Sequence, residues 1–531
     1  MVRHHLVRPA TGGMTRRDVL RLGASAAVGI AALSACAAVP ARPAPGTPQR
    51  RGGIYSHGAT GGGLKDTLNP HAPVTNPDIS RTMQLYEPLL RWNADYEIEP
   101  SLAESVTPSA DNTQWTVRLR DGVEFHHGKT VTPQDVLHTL SIVADPKNPT
   151  SGGVELSGIL ELANSKVLDA RTLMLQLNSP YAVLDQLLAE YTVGIIPTDF
   201  DPARPVGTGP FSYRRFVPGQ LSQFARFDNY WDGPAWVDEL FIYDFADDAA
   251  KVNALLAGQV QSIDNLPTYL ARTIEDQGAS PLVSETGAWV PFTMRVDVAP
   301  FSDVRVRQAL RLVCDRQQMI DQALNGFGVL GNDMYSPFDP AYASHLPQRV
   351  QDIDQAKSLL RQAGHPDLEV ELVTSTAVGA GAVESANLFV EQARQAGITV
   401  RLNKADANVF YGDQYLTWNF AQDFWNTRNY LPQVAVCALK GATYNETHFD
   451  DPQFAGLIGQ ARSEADPAKR RTLLQDAQQI EYERGGYLIW GFKRQVDAFS
   501  NLVQGITPHR YLPCGAFGFK HASFVSPQVQ E

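Results

Sequence analysis

A chain of 531 residues, 43% hydrophobic and 19% charged, is long enough for two or three lobes and too apolar for wholesale disorder. Its formal charge is −12, and leaving out the first 35 residues, which hold five Arg and one Asp, gives 40 basic against 56 acidic side chains. That sign repels a phosphate backbone and no basic stripe offsets it, which excludes nucleic acid as a partner.

In chain order, the first element is an export signal. Thr15-Arg16-Arg17-Asp18-Val19-Leu20-Arg21 precedes fourteen uncharged, mostly apolar residues, Leu22 to Ala35. Fourteen suits a signal-peptide core and falls short of the ~18 that span a bilayer. The arginine pair resembles the twin-arginine signal, but Val19 stands where that pattern prefers Phe, so the twin-arginine and general secretory routes both remain open. Met1 and Met14 both remain candidate starts. Leu33-Ser34-Ala35-Cys36 resembles a bacterial lipobox, which makes residues 1–35 the signal peptide and Cys36 the lipidated residue. Two acyl chains, at about 0.8 kcal/mol per buried CH2, anchor stably where one does not. Residues 36–51, rich in Ala and Pro, then read as the lipidated Cys and a tether holding the body off the outer face of the cytoplasmic membrane. No later stretch is long and apolar enough to span a bilayer.

Beyond the tether, short strand-like runs alternate with amphipathic helices, the pattern of an α/β fold. Gln114–Arg120 reads as a strand, Asp121-Gly122 as a turn and Val123–Phe125 as more strand. Thr132-Pro133-Gln134-Asp135 opens a helix, with Thr at the N-cap, Pro at N1 and an acid at N3. Val306, Leu310, Val313 and Cys314 share one helix face. Ile353, Ala356, Leu359, Leu360 and Ala363 share another, which stops at Gly364. A further helix starts at Asp466-Pro467. These stripes are core-facing surfaces.

Chemistry-bearing motifs are scarce. The four Cys (Cys36, Cys314, Cys437, Cys514) form no CxxC, and in an oxidising compartment leave room for at most one bridge, Cys437 with Cys514. Cys314 reads as a buried inert thiol. Gly326-Phe327-Gly328-Val329-Leu330-Gly331 matches GxGxxG but follows a helix instead of a strand, the wrong context for a dinucleotide, and reads as a loop. Gly61-Gly62-Gly63 lacks the Lys-Ser/Thr of a P-loop. His126 and His127 point to opposite faces of an extended segment, so no metal site is expected. Asn445-Glu446-Thr447 reads as an ordinary loop despite its sequon pattern. No GxSxG is present, and neither a catalytic residue nor a cofactor is expected.

Three blocks in fixed order resemble the extracellular solute-binding proteins of the peptide and nickel importer class, family 5. The first runs from Tyr86-Glu87-Pro88-Leu89-Leu90 through Ile98–Ser105 and Trp115–Gly128 to Thr132–Val136, with His127 where the family usually has Asp. The second is Pro205-Val206-Gly207-Thr208-Gly209-Pro210-Phe211 with Asn229-Tyr230-Trp231 and the Gly258 region. The third is Phe301–Leu310 with Asp315-Arg316, then Ala356–Gly364. The resemblance implies a two-lobed periplasmic-binding-protein clamshell with an additional subdomain in the first lobe. The first lobe maps to 52–78, 204–290 and 491–531, the inserted subdomain to 79–203 and the second lobe to 291–490. The crossovers fall near Trp289–Phe292 and Trp490–Phe492. It further implies a monomeric, non-enzymatic capture protein of an ABC importer, delivering a small solute, foremost a peptide, to permease and ATPase subunits. The rival ligands are a carboxylate-bearing or glycosidic solute or a metal chelate, and the rival class is a secreted lipoprotein hydrolase. Peptide-binding relatives grip the free amine with an Asp in the stretch that here reads Asp423-Phe424-Trp425-Asn426-Thr427-Arg428-Asn429-Tyr430. Asp423 stands early for that role and Arg428 stands close to where the acid belongs, which suits a carboxylate instead. Arg428, Trp425, Tyr430 and Asn426 are therefore the expected ligand residues, with Tyr55, His57, Trp289 and Trp490 added from their places at the cleft mouth or hinge. The alternative for this stretch is a surface Arg428 beside core aromatics.

Overall fold

Ile54–Thr60 is a central strand, paired at its edges by parallel Glu239–Phe245 on one side and Ser262–Ile263 on the other, and buried from Tyr55 to Ala59. The sheet widens through antiparallel Leu221–Arg226 and Phe211–Val217 beyond the first, and through Gly491–Ser500 and Ala279–Trp289 beyond the second. Alternation along Glu239–Phe245 sends Leu240 and Ile242 into one core with Tyr55 and Phe224. Tyr243 and Phe245 go to the opposite core, with Ile263 and Ala498. This computed structural model describes residues 42–525 apart from 45, 146, 148, 149 and 151; the export signal and Cys36 lie outside the described residues.

Helix Asn76–Leu85 covers the first face and carries Arg81, wholly buried, to Asp66 (3.0 Å), Asp78 (3.2 Å) and Asp244 (2.5 Å). Its last carbonyls explain two glycines of the Pro205–Phe211 block. A β-carbon on Gly207 would lie 1.9 Å from the Leu85 oxygen, and one on Gly209 2.2 Å from that of Gln84. His126 is tied to this same loop, with Nε2 3.0 Å from the Gly209 oxygen and Nδ1 accepting from the Gly207 N–H at 3.2 Å.

A second, antiparallel sheet consists of Ala103–Pro108, Gln114–Leu119, Thr172–Gln176 and Lys166–Val167. Trp115, Val117 and Leu119 alternate inward along it. Val123–Phe125 does not extend the ladder. Gly128, at φ +87°, reverses the chain so soon that only a bridge between Glu124 and Thr130 forms. Helix Pro133–Val143 starts as its residues dictate: Asp135 accepts the Thr132 N–H at 3.0 Å.

The third sheet is ordered Thr399–Lys404, Glu369–Thr374, Phe420–Gln422, Phe292–Met294, Tyr487–Leu488. Helices Val304–Val313, Ile353–Gln362 and Ala382–Gln395 bury Val306, Leu310, Leu360 and Phe389 in its core. Gly364, at φ +80°, follows the second of these helices as its apolar stripe requires. Two chain segments pass between the first and third sheets. Trp289 pairs with Phe492 at the end of the long antiparallel ladder, and Phe292 begins the next strand in the other sheet; Tyr487–Leu488 returns through Trp490 to Gly491. The GxGxxG segment braces this crossing: Gly328–Leu330 forms a short strand on Gly491–Ser500 where the sequence suggested a loop.

Cys437 and Cys514 carry free thiols, each buried in a different core, which corrects the candidate disulfide. Cys314 is also free, and burial pushes its thiol up to about 12.

Candidate ligand site at the seam between the lobes

The stretch 423–430 leaves the third sheet after Phe420–Gln422 and enters helix Tyr430–Cys437. Its start is held by carboxyls. Asp423 accepts from the Tyr411 and Tyr415 hydroxyls, both at 2.9 Å, and Glu446 accepts from the Trp425 indole (3.1 Å) and the Tyr487 hydroxyl. Burial and the Asp423 carboxyl beside it push Glu446 well above the carboxylate range, and burial raises Asp423 as well. The end of the stretch is held by Asp339, which accepts the Tyr430 N–H at 2.8 Å, and by Glu481, which accepts the Tyr430 and Tyr335 hydroxyls. Burial raises Glu481 to about 7.

Between these ends the stretch meets the rest of the molecule. Trp425 and Trp289 exchange backbone hydrogen bonds (2.9 and 3.0 Å) and stack at 6.1 Å. Trp289, Tyr335 and Tyr430 continue the stack at 5.4 and 5.2 Å. Thr427 is the junction. Its hydroxyl accepts the Gly287 N–H (2.9 Å) from the first sheet and donates to the Arg510 carbonyl (3.0 Å), while its own carbonyl accepts from the Tyr96 hydroxyl (3.3 Å). The segment that follows the second sheet also meets helix Pro452–Ser463, where the Ala182 N–H donates to the Arg462 carbonyl at 2.8 Å.

Arg428 follows that junction. It is half-buried, and among the described residues its guanidinium has no carboxylate within the 4.0 Å of an ion pair. Its charge acts on Glu155, Glu190, Tyr96 and Tyr191. Burial raises the two glutamates, and hydrogen bonds from Tyr181 and Tyr511 together with the charge of Arg428 draw them back. Asn426 is exposed at the rim, as is Phe424. The structure thus brings Trp425, Asn426, Arg428, Tyr430 and Trp289 to one place, with Tyr430 and Trp289 forming the packed floor.

The other three expected residues stand elsewhere. Tyr55 and His57 are buried in the first-lobe core against Phe519, at 5.4 and 4.8 Å. Burial lowers His57 to about 4, so it is neutral at pH 7. Trp490 lies in the core of the third sheet. Tyr55 and His57 lie on a central strand covered on both faces, and Trp490 sits in the short link between Tyr487–Leu488 and Gly491–Ser500. Thr427, Tyr96, Glu155, Glu190 and Tyr511 escaped the sequence reading because they come from separate segments with no local motif; the one available signal was that Thr427 adjoins Arg428. No group of metal-ligating side chains occurs among the described residues.

Two α/β lobes joined by paired crossing segments, with an inserted sheet closing over the seam, define a two-lobed periplasmic binding protein. The family model of bacterial extracellular solute-binding proteins, family 5 Middle, matches residues 97–446, and the chain belongs to this family. The glutathione-binding protein GsiB of Shigella flexneri is 23% identical over 482 residues, 86% of this chain and 92% of that protein. DppA of Helicobacter pylori, solved in complex with peptide STSA, superposes with a TM-score of 0.74 at 20% identity, covering 90% of this chain and 99% of that one. AgaA of A. tumefaciens R10, solved with agropinic acid, gives 0.73 at 25% identity, covering 89% and 99%. Members of this family are solute-binding proteins, not enzymes, and are extracellular or periplasmic. No helix among the described residues is long and apolar enough to cross a membrane.

Proposed function

We propose that this chain captures a small carboxylate-bearing solute, foremost a short peptide, outside the cytoplasmic membrane and hands it to the permease and ATPase of an ABC importer. One observation carries the ligand class: Arg428 stands half-buried at the seam of the lobes without an anionic partner among the described residues. A desolvated guanidinium calls for an anion, and its planar fork matches a carboxylate. Closure around such a ligand gives it contacts with both lobes at once, the differential affinity that shifts the population. Glutathione in the name of GsiB and the peptide in DppA support the peptide reading. The agropinic acid in AgaA supports a second reading, in which another acid occupies the same anchor.

Native mass spectrometry on residues 37–531, purified from their own host, tests the assignment. A ladder of peptide masses fits the first reading, and one discrete non-peptide acid the second. Arg428→Ala is expected to weaken binding of the retained acid by about 2 kcal/mol or more, since it leaves a carboxylate unpaired in a partly dry site. Unchanged affinity in titration calorimetry removes Arg428 from the site.

A further inference from the structure

Positive charge collects where the chain enters the folded body. Asp66 is the first acidic residue after Asp18, so Arg42, Arg50 and Arg51 precede every acid of the body in a chain of formal charge −12. The structure holds this entry against the C-terminal segment. Gln49–Arg50 is the edge strand of a three-stranded sheet with Ser523–Val525 and Val503–Gln504, and the Gln504 amide donates to the Thr47 carbonyl at 2.9 Å. Arg42 lines a groove beside Val503 and Gln504, so Arg42 and Arg50 flank a sheet only about 10 Å across.

All three arginines are exposed, and none has a carboxylate within 4.0 Å among the described residues. Rings order two of them instead: Arg50 lies over Phe524 at 5.4 Å and Arg51 over Trp236 at 4.3 Å. Successive side chains leave the edge on opposite sides, so these two rim it. Asp228, Asp232 and Asp238, on the segment that carries Trp236, are already paired with Arg226 and Lys520. Two apolar side chains, Leu502 and Ile54, stand about half exposed beside the cations. The Leu502 carbonyl accepts the N–H of Val525, which faces Gln49 across the sheet, and Ile54 follows the entry strand. From this end the ladder of Ala279–Trp289 with Gly491–Ser500 runs about 33 Å to the crossing at Trp289 and Phe492.

We propose that this cationic sheet edge docks on anionic lipid headgroups and holds the body on the membrane with the seam at its far end, open to solvent. The inference rests on the extracytoplasmic reading above and concerns the membrane, not the solute. Cations beside a few exposed apolar side chains suit a charged lipid surface. At about 0.1 M salt the Debye length of about 10 Å confines the attraction to this end, so the acidic remainder of the body does not cancel it. Cys36 lies eleven residues before Thr47, and a lipid there, as proposed, would keep the edge within roughly 40 Å of the bilayer.

Vesicle flotation of residues 37–531 at about 0.1 M salt tests this without any solute. One set of vesicles holds equal parts phosphatidylglycerol and phosphatidylcholine, the other phosphatidylcholine alone. Partition onto the anionic set is expected to be at least roughly twentyfold higher, and to vanish at about 1 M salt. Arg50→Gln and Arg51→Gln should each lower it about fivefold with an unchanged thermal midpoint. The double variant Arg214→Gln with Arg215→Gln, exposed on strand Phe211–Val217, should leave it unaltered. Equal partition onto both sets, or equal loss in that double variant, overturns the inference. So do Arg50 and Arg51 variants that self-associate yet still float, because the arginines then only guard an edge strand. Displacement by inorganic phosphate at matched ionic strength would assign them to a free anion and overturn it as well. The capture reading survives each of these outcomes.

Discussion

Thr427 shows how much one hydroxyl can hold. It joins the first sheet at Gly287 and the C-terminal segment at Arg510, each through a single hydrogen bond. Thr427→Val keeps the shape and removes both bonds, leaving a buried N–H and a C=O unmatched. A loss of about 2 kcal/mol in urea unfolding is expected, with Thr427→Ser restoring most of it. Glu481 gives a second residue-scale expectation, with a definite sign. Its ordinary value is 4.5 and the fold raises it to about 7. Between those values the folded state binds more protons than the unfolded one, so stability falls as pH rises through the window and stays lower above it. Glu481→Gln still accepts from Tyr335 and Tyr430 and has no charge to bury. It should match the parent near pH 4 and melt higher near pH 8; equal melting at both would show that Glu481 ionises without penalty.

At the scale of elements, the crossing between the lobes depends on close backbone approach. Gly331 ends the Gly328–Leu330 brace, and its N–H donates to the Trp490 carbonyl at 3.0 Å. A β-carbon there would lie 2.5 Å from the Ile489 oxygen and 2.8 Å from the Gly491 nitrogen, both backbone atoms that cannot swing aside. Gly331→Ala is therefore expected to cost about 1–3 kcal/mol and to displace the brace, read as a lowered unfolding midpoint and faster hydrogen exchange in Gly491–Ser500. The helices tell the complementary story. Thr132 and Asp466 begin helices where Pro follows the cap, and apolar spacing placed Val306, Leu310 and Leu360 inward. Those features depend on residues a few positions apart, so they were legible before any fold was known. Val123–Phe125 and the Gly326–Gly331 segment were misread because strand pairing depends on a partner far along the chain, and a short apolar run does not reveal whether one is waiting.

For the whole molecule, a lipid anchor at Cys36, as proposed, would keep the acidic body at the membrane where an importer works. The lipobox motivates the expectation that Cys36→Ala appears in the medium or remains uncleaved, with no incorporation of labelled fatty acid. Normal lipid labelling of that variant would remove Cys36 as the attachment point. The sequence by itself determined the two-lobed class, because that rests on the order of blocks along one chain; the export signal and the ligand role of the stretch around Arg428 stand as proposals read from short patterns. Only the tertiary structure decided that Tyr55, His57 and Trp490 turn into cores and that Cys437 and Cys514 lie apart. Which face a strand residue presents, and which distant segments meet at a cleft, follow from how sheets stack and where chains cross. No local spacing encodes that packing.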